Sequence, residues 1–527
     1  MAARAWWRDG VLYQLYPRSF ADSDGDGTGD LRGIIDHLDH LAWLGIDGLW
    51  LNPTFPSPNA DWGFDVADYR DVHPDLGTLA DLEDLIAAAG ERGIRVLLDL
   101  VPNHTSDEHP WFVEARGDRD APHRDWYVWR DPGPDGRPPN NWQSLFGGPA
   151  WEPDGATGQS YLHLFHRKQP DLNWWSEDVR RAFDEILGFW YDRGVAGFRV
   201  DVANGIVKDR ALRDNPAFAT PEEEHAWRPL GQVPRHSLNQ PEVHDLFRRW
   251  RALGAGRDPE PLLLGETVVR DLEQLMRFYG DDDGLQLALN VVFLDAALDA
   301  TELAGVVART EALLPDGAWP LWTASTHDVV RFPTRWANGD ERRIRVALML
   351  LLTLRGTPIL YYGDEIGMRE AEIPADRVRD PVGLRDGGVE PGRDGARTPM
   401  PWTDAAGAGF TAAGVEPWLP FGDLAVNVAA QRADAGSVLH LVRDLIALRR
   451  ADAALHAGPY TPLDAPEGAW AYRRGDRAAV ALNLSDAGVV VPGLSGRVEI
   501  GTDRARDGEA LEGSVALGPW EGVVAIT

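Results

Sequence analysis

The sequence contains no cysteine. That absence removes disulfides, thiol nucleophiles and thiolate metal sites together. No apolar run reaches the roughly 18 residues of a membrane span. Positive charge is scarce: 52 Lys and Arg stand against 83 Asp and Glu, a formal net charge of −31. Phosphate backbones and anionic lipid repel such a chain, which argues against nucleic acid or a membrane as partner. The start, Met1-Ala-Ala-Arg-Ala-Trp-Trp-Arg8, lacks the apolar core and small-residue cleavage site of a secretory signal. The cytoplasm is therefore the expected location. No internal repeat or low-complexity tract is present.

What is present is the composition of a globular protein, 44% apolar and 26% charged over 527 residues, enough for two or three packed units. Short apolar runs alternate with helical spacing for most of the length, the signature of βα units on a parallel sheet. The strand candidates are Val11–Pro17, Gly48–Pro53, Arg95–Val101, Gly197–Val202, Leu262–Glu266, Leu287–Val291, Leu321–Ser325 and Pro358–Tyr362. Helical periodicity lies near 31–42, 78–92, 178–192, 240–254, 296–313, 340–355 and 436–450. Eight strand signals predict an α/β fold, a closed (β/α)8 TIM barrel. No Gly-rich phosphate loop follows the first strand, which disfavours a doubly wound open sheet.

Two interruptions, at 105–173 and 368–420, are rich in Gly, Pro and Asp or Arg and carry little periodicity. The expected organisation is a barrel domain over 1–104 and 174–454, a domain inserted after strand three over 105–173, and a C-terminal antiparallel β-sandwich over 455–527. The 368–420 stretch reads as an excursion after strand eight. Both interruptions would emerge at the C-terminal mouth of the barrel, where such folds build their sites.

Polar residues gather at these strand ends: Asp99, Asn103 and His104, then Arg199 and Asp201, then Glu266, then His327 and Asp328. Each alone reads as a cap or a surface group; together they converge on one barrel face. Two carboxylates with flanking imidazoles suit glycoside hydrolysis, one attacking the anomeric carbon and one delivering a proton. Arg199, two residues before Asp201, shares its strand face and can hold it ionised and aimed.

Four segments in order, Asp99-Leu-Val-Pro-Asn-His104, Gly197-Phe-Arg-Val-Asp201, Gly265-Glu266-Thr267 and Thr326-His327-Asp328, resemble the signature regions of the α-amylase family. Gly45–Trp50, Gln169–Trp174 and Gly356–Glu365 match as well, so the resemblance covers nearly the whole chain. It implies Asp201 as nucleophile, Glu266 as general acid/base and Asp328 as the third carboxylate. It places His104 and His327 on the sugar and leaves Asp99 in support. Thr326 departs from the Asn common in the family.

Asp61-Trp-Gly-Phe-Asp65 and Arg397-Thr-Pro-Met-Pro-Trp402 resemble motifs of the α-glucosidase and oligo-1,6-glucosidase branch. There Asp61 and Arg397 would grip the terminal glucose, Phe64 replacing a Tyr and keeping only its stacking face. Phe146 and Phe165 match aromatic pocket residues of the inserted domain. The acidic run Asp22-Ser-Asp-Gly-Asp-Gly-Thr-Gly-Asp30 is not an EF-hand, because its twelfth position is Gly33. It is similar to the structural Ca2+ or Mg2+ loop of this branch, with Asp22, Asp24, Asp26, the carbonyl of Thr28 and Asp30 as ligands. No organic cofactor is implied.

The resulting expectation is an exo-acting retaining α-glucosidase acting on a small oligosaccharide or glucoside, as a monomer or homodimer. Glucosyl transfer or isomerisation on the same scaffold is the enzymatic alternative. An inactive binding relative is disfavoured because all three carboxylates are present. For linkage the clues conflict: Val202 is similar to α-1,6-acting members, whereas Val202–Arg210 resembles α-glucosidases acting on α-1,4 bonds. Short α-1,4-linked substrates are the preferred reading.

Overall fold

The computed structural model describes residues 5–384 and 392–527. Residues 1–4 and part of the 368–420 excursion thus lie outside the described residues. In chain order the strands begin with β1 (Leu12–Leu15), β2 (Gly48–Leu51) and β3 (Arg95–Leu100). A small antiparallel sheet follows, made of β4 (Trp129–Arg130), β5 (Trp151–Pro153) and β6 (Ser160–Leu162). The main sheet resumes with β7 (Gly197–Val200), β8 (Leu262–Gly265), β9 (Leu287–Ala288), β10 (Leu321–Thr323) and β11 (Thr357–Tyr361). The chain ends with β12 (Tyr460–Leu463), β13 (Ala469–Arg474), β14 (Ala478–Asn483), β15 (Val489–Gly501), β16 (Ala510–Leu517) and β17 (Gly522–Ile526).

Eight parallel strands run in the order β10-β11-β1-β2-β3-β7-β8-β9, and a parallel bridge from Leu289 to Leu321 brings the two ends together. The barrel is the predicted one. Its interior is apolar at depth, where Leu12, Trp50, Leu97, Leu262, Leu264, Leu321 and Ile359 pack together. Residues one strand-repeat further on, at the C-terminal mouth, are polar: Gln14, Asp99, Arg199 and Asp201 are all buried there. A core of this kind stabilises the barrel below while the upper layer is free to carry chemistry.

The predicted helices sit outside the strands with apolar faces inward. Glu177–Tyr191 buries Val179, Phe183, Ile186, Leu187 and Trp190, the 3.6-residue stripe seen in its sequence. Leu79–Glu91 starts on a Thr78–Asp81 capping box. The stretch near 31–42 is two helices, Leu31–Asp36 and Leu38–Leu44, because His37 leaves helical geometry and its Nδ1–H donates to the Gly33 carbonyl at 2.8 Å.

The C-terminal strands form the expected antiparallel β domain. All six join one continuous antiparallel sheet, ordered β12-β13-β14-β17-β15-β16. The 13-residue β15 pairs with both β16 and β17 and shifts register at each, so the sheet bends rather than splitting in two. Alternation explains its two faces: Trp470, Tyr472, Val480 and Leu482 join the barrel's helical layer, whereas Ala471, Ala479 and Ala481 pack under Val491, Val498 and Val515. No helix among the described residues is long and apolar enough to cross a membrane.

Candidate active site

Parallel register assembles the site. Asp99 on β3 lies directly beside Arg199 on β7, and Val200 lies beside Gly265 on β8. The next residue of each of the latter strands is Asp201 and Glu266, so the two carboxylates emerge side by side. Arg199 sits among all three acids. Its Nη1 is 2.6 Å from Asp99 Oδ1 and 2.7 Å from Asp201 Oδ1, and its Nη2 is 2.9 Å from Glu266 Oε2. Trp50 and Asn52 donate to the other oxygen of Asp99, each at 3.2 Å.

The backbone turns sharply after Asp201. Val202 has φ +44°, a strained conformation for a β-branched residue. The turn aims the Val202 N–H at Glu266 Oε2, 2.9 Å away. With Arg199 on the same oxygen, Oε2 is fully engaged and Oε1 is the oxygen left to face a ligand.

Burial dominates the electrostatics. It pushes Asp99 up to about 7, with Arg199 opposing and Glu266 adding to the rise. Burial also raises Asp201 well above the usual carboxylate range, against the pull of Arg199 and with the charges of Glu266, Asp99 and Asp328 adding. Three carboxylates around one guanidinium raise the cost of ionising one another. Burial works against the charge of Arg199, but Asp99, Glu266 and Asp201 hold it firmly protonated.

Asp328 stands across the mouth. Its Oδ1 accepts from Arg393 Nη1 at 3.0 Å and from Arg397 Nη2 at 3.1 Å, and its Oδ2 lies 3.1 Å from His327 Nε2. Burial raises Asp328, but the guanidinium charges of Arg393 and Arg397 outweigh it and hold the carboxyl far below its ordinary value. His327 Nδ1 faces the amide groups of Gln14 and Asn52 at 2.8 and 3.2 Å, and burial holds the ring neutral. Thr326, the family departure, uses its hydroxyl to accept the Asp328 N–H at 3.2 Å. Phe64 lies flat on the His327 ring, 5.2 Å between centroids and 3° between planes.

A cavity of about 320 Å3 opens above these groups. Among the predicted residues Asp61, Phe64, His104, Phe146, Phe165, Asp201, Glu266 and Asp328 line it, and Val202, Val382 and Arg393 complete the wall. Phe146 and Phe165 meet edge-to-face at 5.6 Å. His104 donates through Nε2 to the Phe64 carbonyl at 3.0 Å, Asn103 donates to its Nδ1 at 3.0 Å, and burial drops its pKa to about 3. Its sugar contact would therefore need one of these bonds to yield.

Arg199, His327 and Arg397 lie behind the wall rather than in it. Arg397, expected to grip sugar beside Asp61, is fully buried and donates to the His327 carbonyl at 2.9 Å and to Asp328. The wall position belongs to Arg393, whose Nη2 is 2.9 Å from Asp61 Oδ1. Gln169 donates to the other oxygen of Asp61 at 3.1 Å. Burial pushes Asp61 up to about 6, with Arg393 and Arg397 opposing. Sequence reasoning missed Arg393, Gln169 and Val382. Arg393 lies just four residues before the Arg-Thr-Pro-Met motif, the one signal that could have found it.

In the acidic loop, Asp22, Asp24 and Asp30 bring carboxylate oxygens within 4.8 Å of one another. Asp26 is not part of that group; its Oδ1 accepts the Thr28 N–H at 2.7 Å. Converging carboxylates fit a hard cation such as Ca2+ or Mg2+.

The α-amylase catalytic-domain model matches residues 14–458. A probable α-glucosidase of Rhizobium meliloti is 42% identical over 86% of this chain and 84% of its own length. An oligo-1,6-glucosidase of Parageobacillus thermoglucosidasius is 38% identical over 87% and 86%. The crystal structure of an α-glucosyl transfer enzyme, XgtA, superposes with a TM-score of 0.91 at 39% identity, covering 99% of this chain and all of that one.

Proposed function

The chain belongs to the α-amylase family of glycoside hydrolases, and from that premise we propose that it is an exo-acting retaining α-glucosidase that releases α-glucose from the non-reducing end of short α-1,4-glucosides. One observation carries this reading: the Asp61–Arg393 pair stands in the wall of the same cavity that holds Asp201 and Glu266. Paired charges there suit the hydroxyls of a terminal glucosyl unit.

With Arg199 on Oδ1, Asp201 attacks the anomeric carbon through Oδ2, and the glycosidic C–O bond breaks. Glu266 gives its proton from Oε1 to the leaving oxygen. Water then enters, Glu266 removes a proton from it as its oxygen bonds to the anomeric carbon, and the C–O bond to Asp201 breaks, with net retention. Both carboxylates share one guanidinium, a close spacing that suits direct attack better than an intervening water. Asp328, held ionised by two arginines, binds sugar hydroxyls as the ring flattens.

A second reading, α-1,6 cleavage, is favoured by Val202 in the cavity wall. Transfer to a sugar hydroxyl would use the same intermediate. Chromatographic product profiles with maltose, maltotriose, isomaltose, sucrose and trehalose separate these readings. Glucose from maltose and maltotriose, with little from isomaltose, is the expected outcome. Glucose mainly from isomaltose would overturn the linkage, and new disaccharides would overturn hydrolysis.

The Asp22–Asp30 loop is proposed to hold a structural Ca2+ or Mg2+ through Asp22, Asp24 and Asp30. The ion would brace the loop after β1 and take no part in the reaction.

A further inference from the structure

Behind the sugar-facing wall, one carboxylate grips Arg393 without reaching the cavity. Asp380 is fully buried and accepts from Arg393 three times: Nη2 to Oδ1 at 2.7 Å, Nε to Oδ2 at 3.0 Å, and the backbone N–H to Oδ2 at 2.6 Å. The side-chain bonds form a bidentate fork on one edge of the guanidinium. The remaining reach of Nη1 and Nη2 goes to Asp328 and Asp61, the two carboxylates that do line the cavity.

Asp380 is itself held from both sides. Its N–H, with that of Arg379, donates to Asp394 Oδ2, at 2.9 and 2.6 Å, and its Oδ1 accepts the Val382 N–H at 3.1 Å. Val382 stands in the cavity wall, so the same carboxylate ties an apolar wall residue to the arginine beside it. A second feature points the same way. Gly392 has φ +57°, and a Cβ there would sit 2.6 Å from Asp380 Oδ2. Glycine leaves the space that lets this carboxylate close on Arg393.

We propose that Asp380 is a positioning residue that presets Arg393 in the glucosyl pocket, so that Asp61 and Asp328 meet an arginine already fixed when sugar enters. A long side chain with three acidic neighbours has several ways to pair; the fork on Asp380 selects the one that presents Nη1 and Nη2 outward. Loss of the fork therefore weakens sugar binding through Arg393 and leaves the chemistry of Asp201 and Glu266 in place.

This inference rests on the proposed glucosyl pocket, and p-nitrophenyl α-glucoside tests it apart from any linkage preference. D380N is expected to raise KM about tenfold, the size of one charge-assisted bond, with kcat within about twofold of wild type. In an R393Q background D380N should move KM by less than about twofold, because the residue it acts through is gone. A merely structural role would give equal losses in both backgrounds, and that result overturns the proposal. So does an unchanged KM in D380N. G392A, which crowds the same carboxylate, takes the place of D380N in the cycle if that variant does not fold. If wild type itself releases no nitrophenol, the reading of function fails; a normal wild-type rate with an unmoved variant KM sinks the positioning role alone.

Discussion

Arg199 is the residue on which the site turns, because three carboxylates depend on one buried guanidinium. Around it the residue-level pattern was largely legible: strand register brings Asp99, Arg199, Asp201 and Glu266 together, as their positions at strand ends foretold. What could not be read was direction. Arg393 caps and Arg397 ends a single short helical turn, Asp394–Arg397, and only packing decides that the first faces the cavity and the second lies beneath it. Asp61 offers the test at this scale. Burial holds its pKa up at about 6, so the carboxyl loses its charge as pH falls through that value. Its pairing with Arg393 and with sugar hydroxyls needs the ionised form. On the proposed function, kcat/KM of wild type should therefore fall on the acid side of about pH 6, a limb that reports the free enzyme. D61N should be weak throughout and lack that limb. A D61N profile with the same acid limb as wild type would assign it to another group.

Among the elements, long periodic segments were the most readable. The helices Glu177–Tyr191 and Val438–Ala451 match their apolar stripes, whereas β9 is two residues long and is a strand only because β8 pairs with it. The single C-terminal sheet was not legible, since alternation shows which faces are apolar but not how β15 bends between partners. The acidic loop after β1 carries its own prediction. Asp22, Asp24 and Asp30 converge, so like charges repel unless a cation joins them. Burial raises the Asp24 carboxyl and the nearby Asp26, Asp22 and Asp30 add to it. Adding Ca2+ or Mg2+ to chelator-treated protein should raise Tm by a few degrees, since a ligand at about 100 times Kd contributes roughly 2.7 kcal/mol. D24N should blunt the response. No shift in wild type would remove the metal from the account.

For the whole molecule, three parts serve one cavity. The barrel supplies the carboxylates, the insertion after β3 supplies Phe146 and Phe165, and the segment after β11 supplies Val382 and Arg393. The C-terminal sheet stands apart from the cavity and packs on the barrel's helices, where Tyr472 and Thr353 share a hydroxyl–hydroxyl hydrogen bond of 2.6 Å. The charge of −31 plays no direct part with a neutral sugar. The central claim is that this assembly forms a covalent glucosyl intermediate on Asp201. Its most direct test is trapping with a 5-fluoro-α-glucosyl fluoride, followed by peptide mapping in a mass spectrometer. The account predicts one glucosyl adduct per chain, on the peptide containing Asp201 and absent in D201A. An adduct on a different carboxylate, or turnover without any adduct and with inverted product, would contradict it.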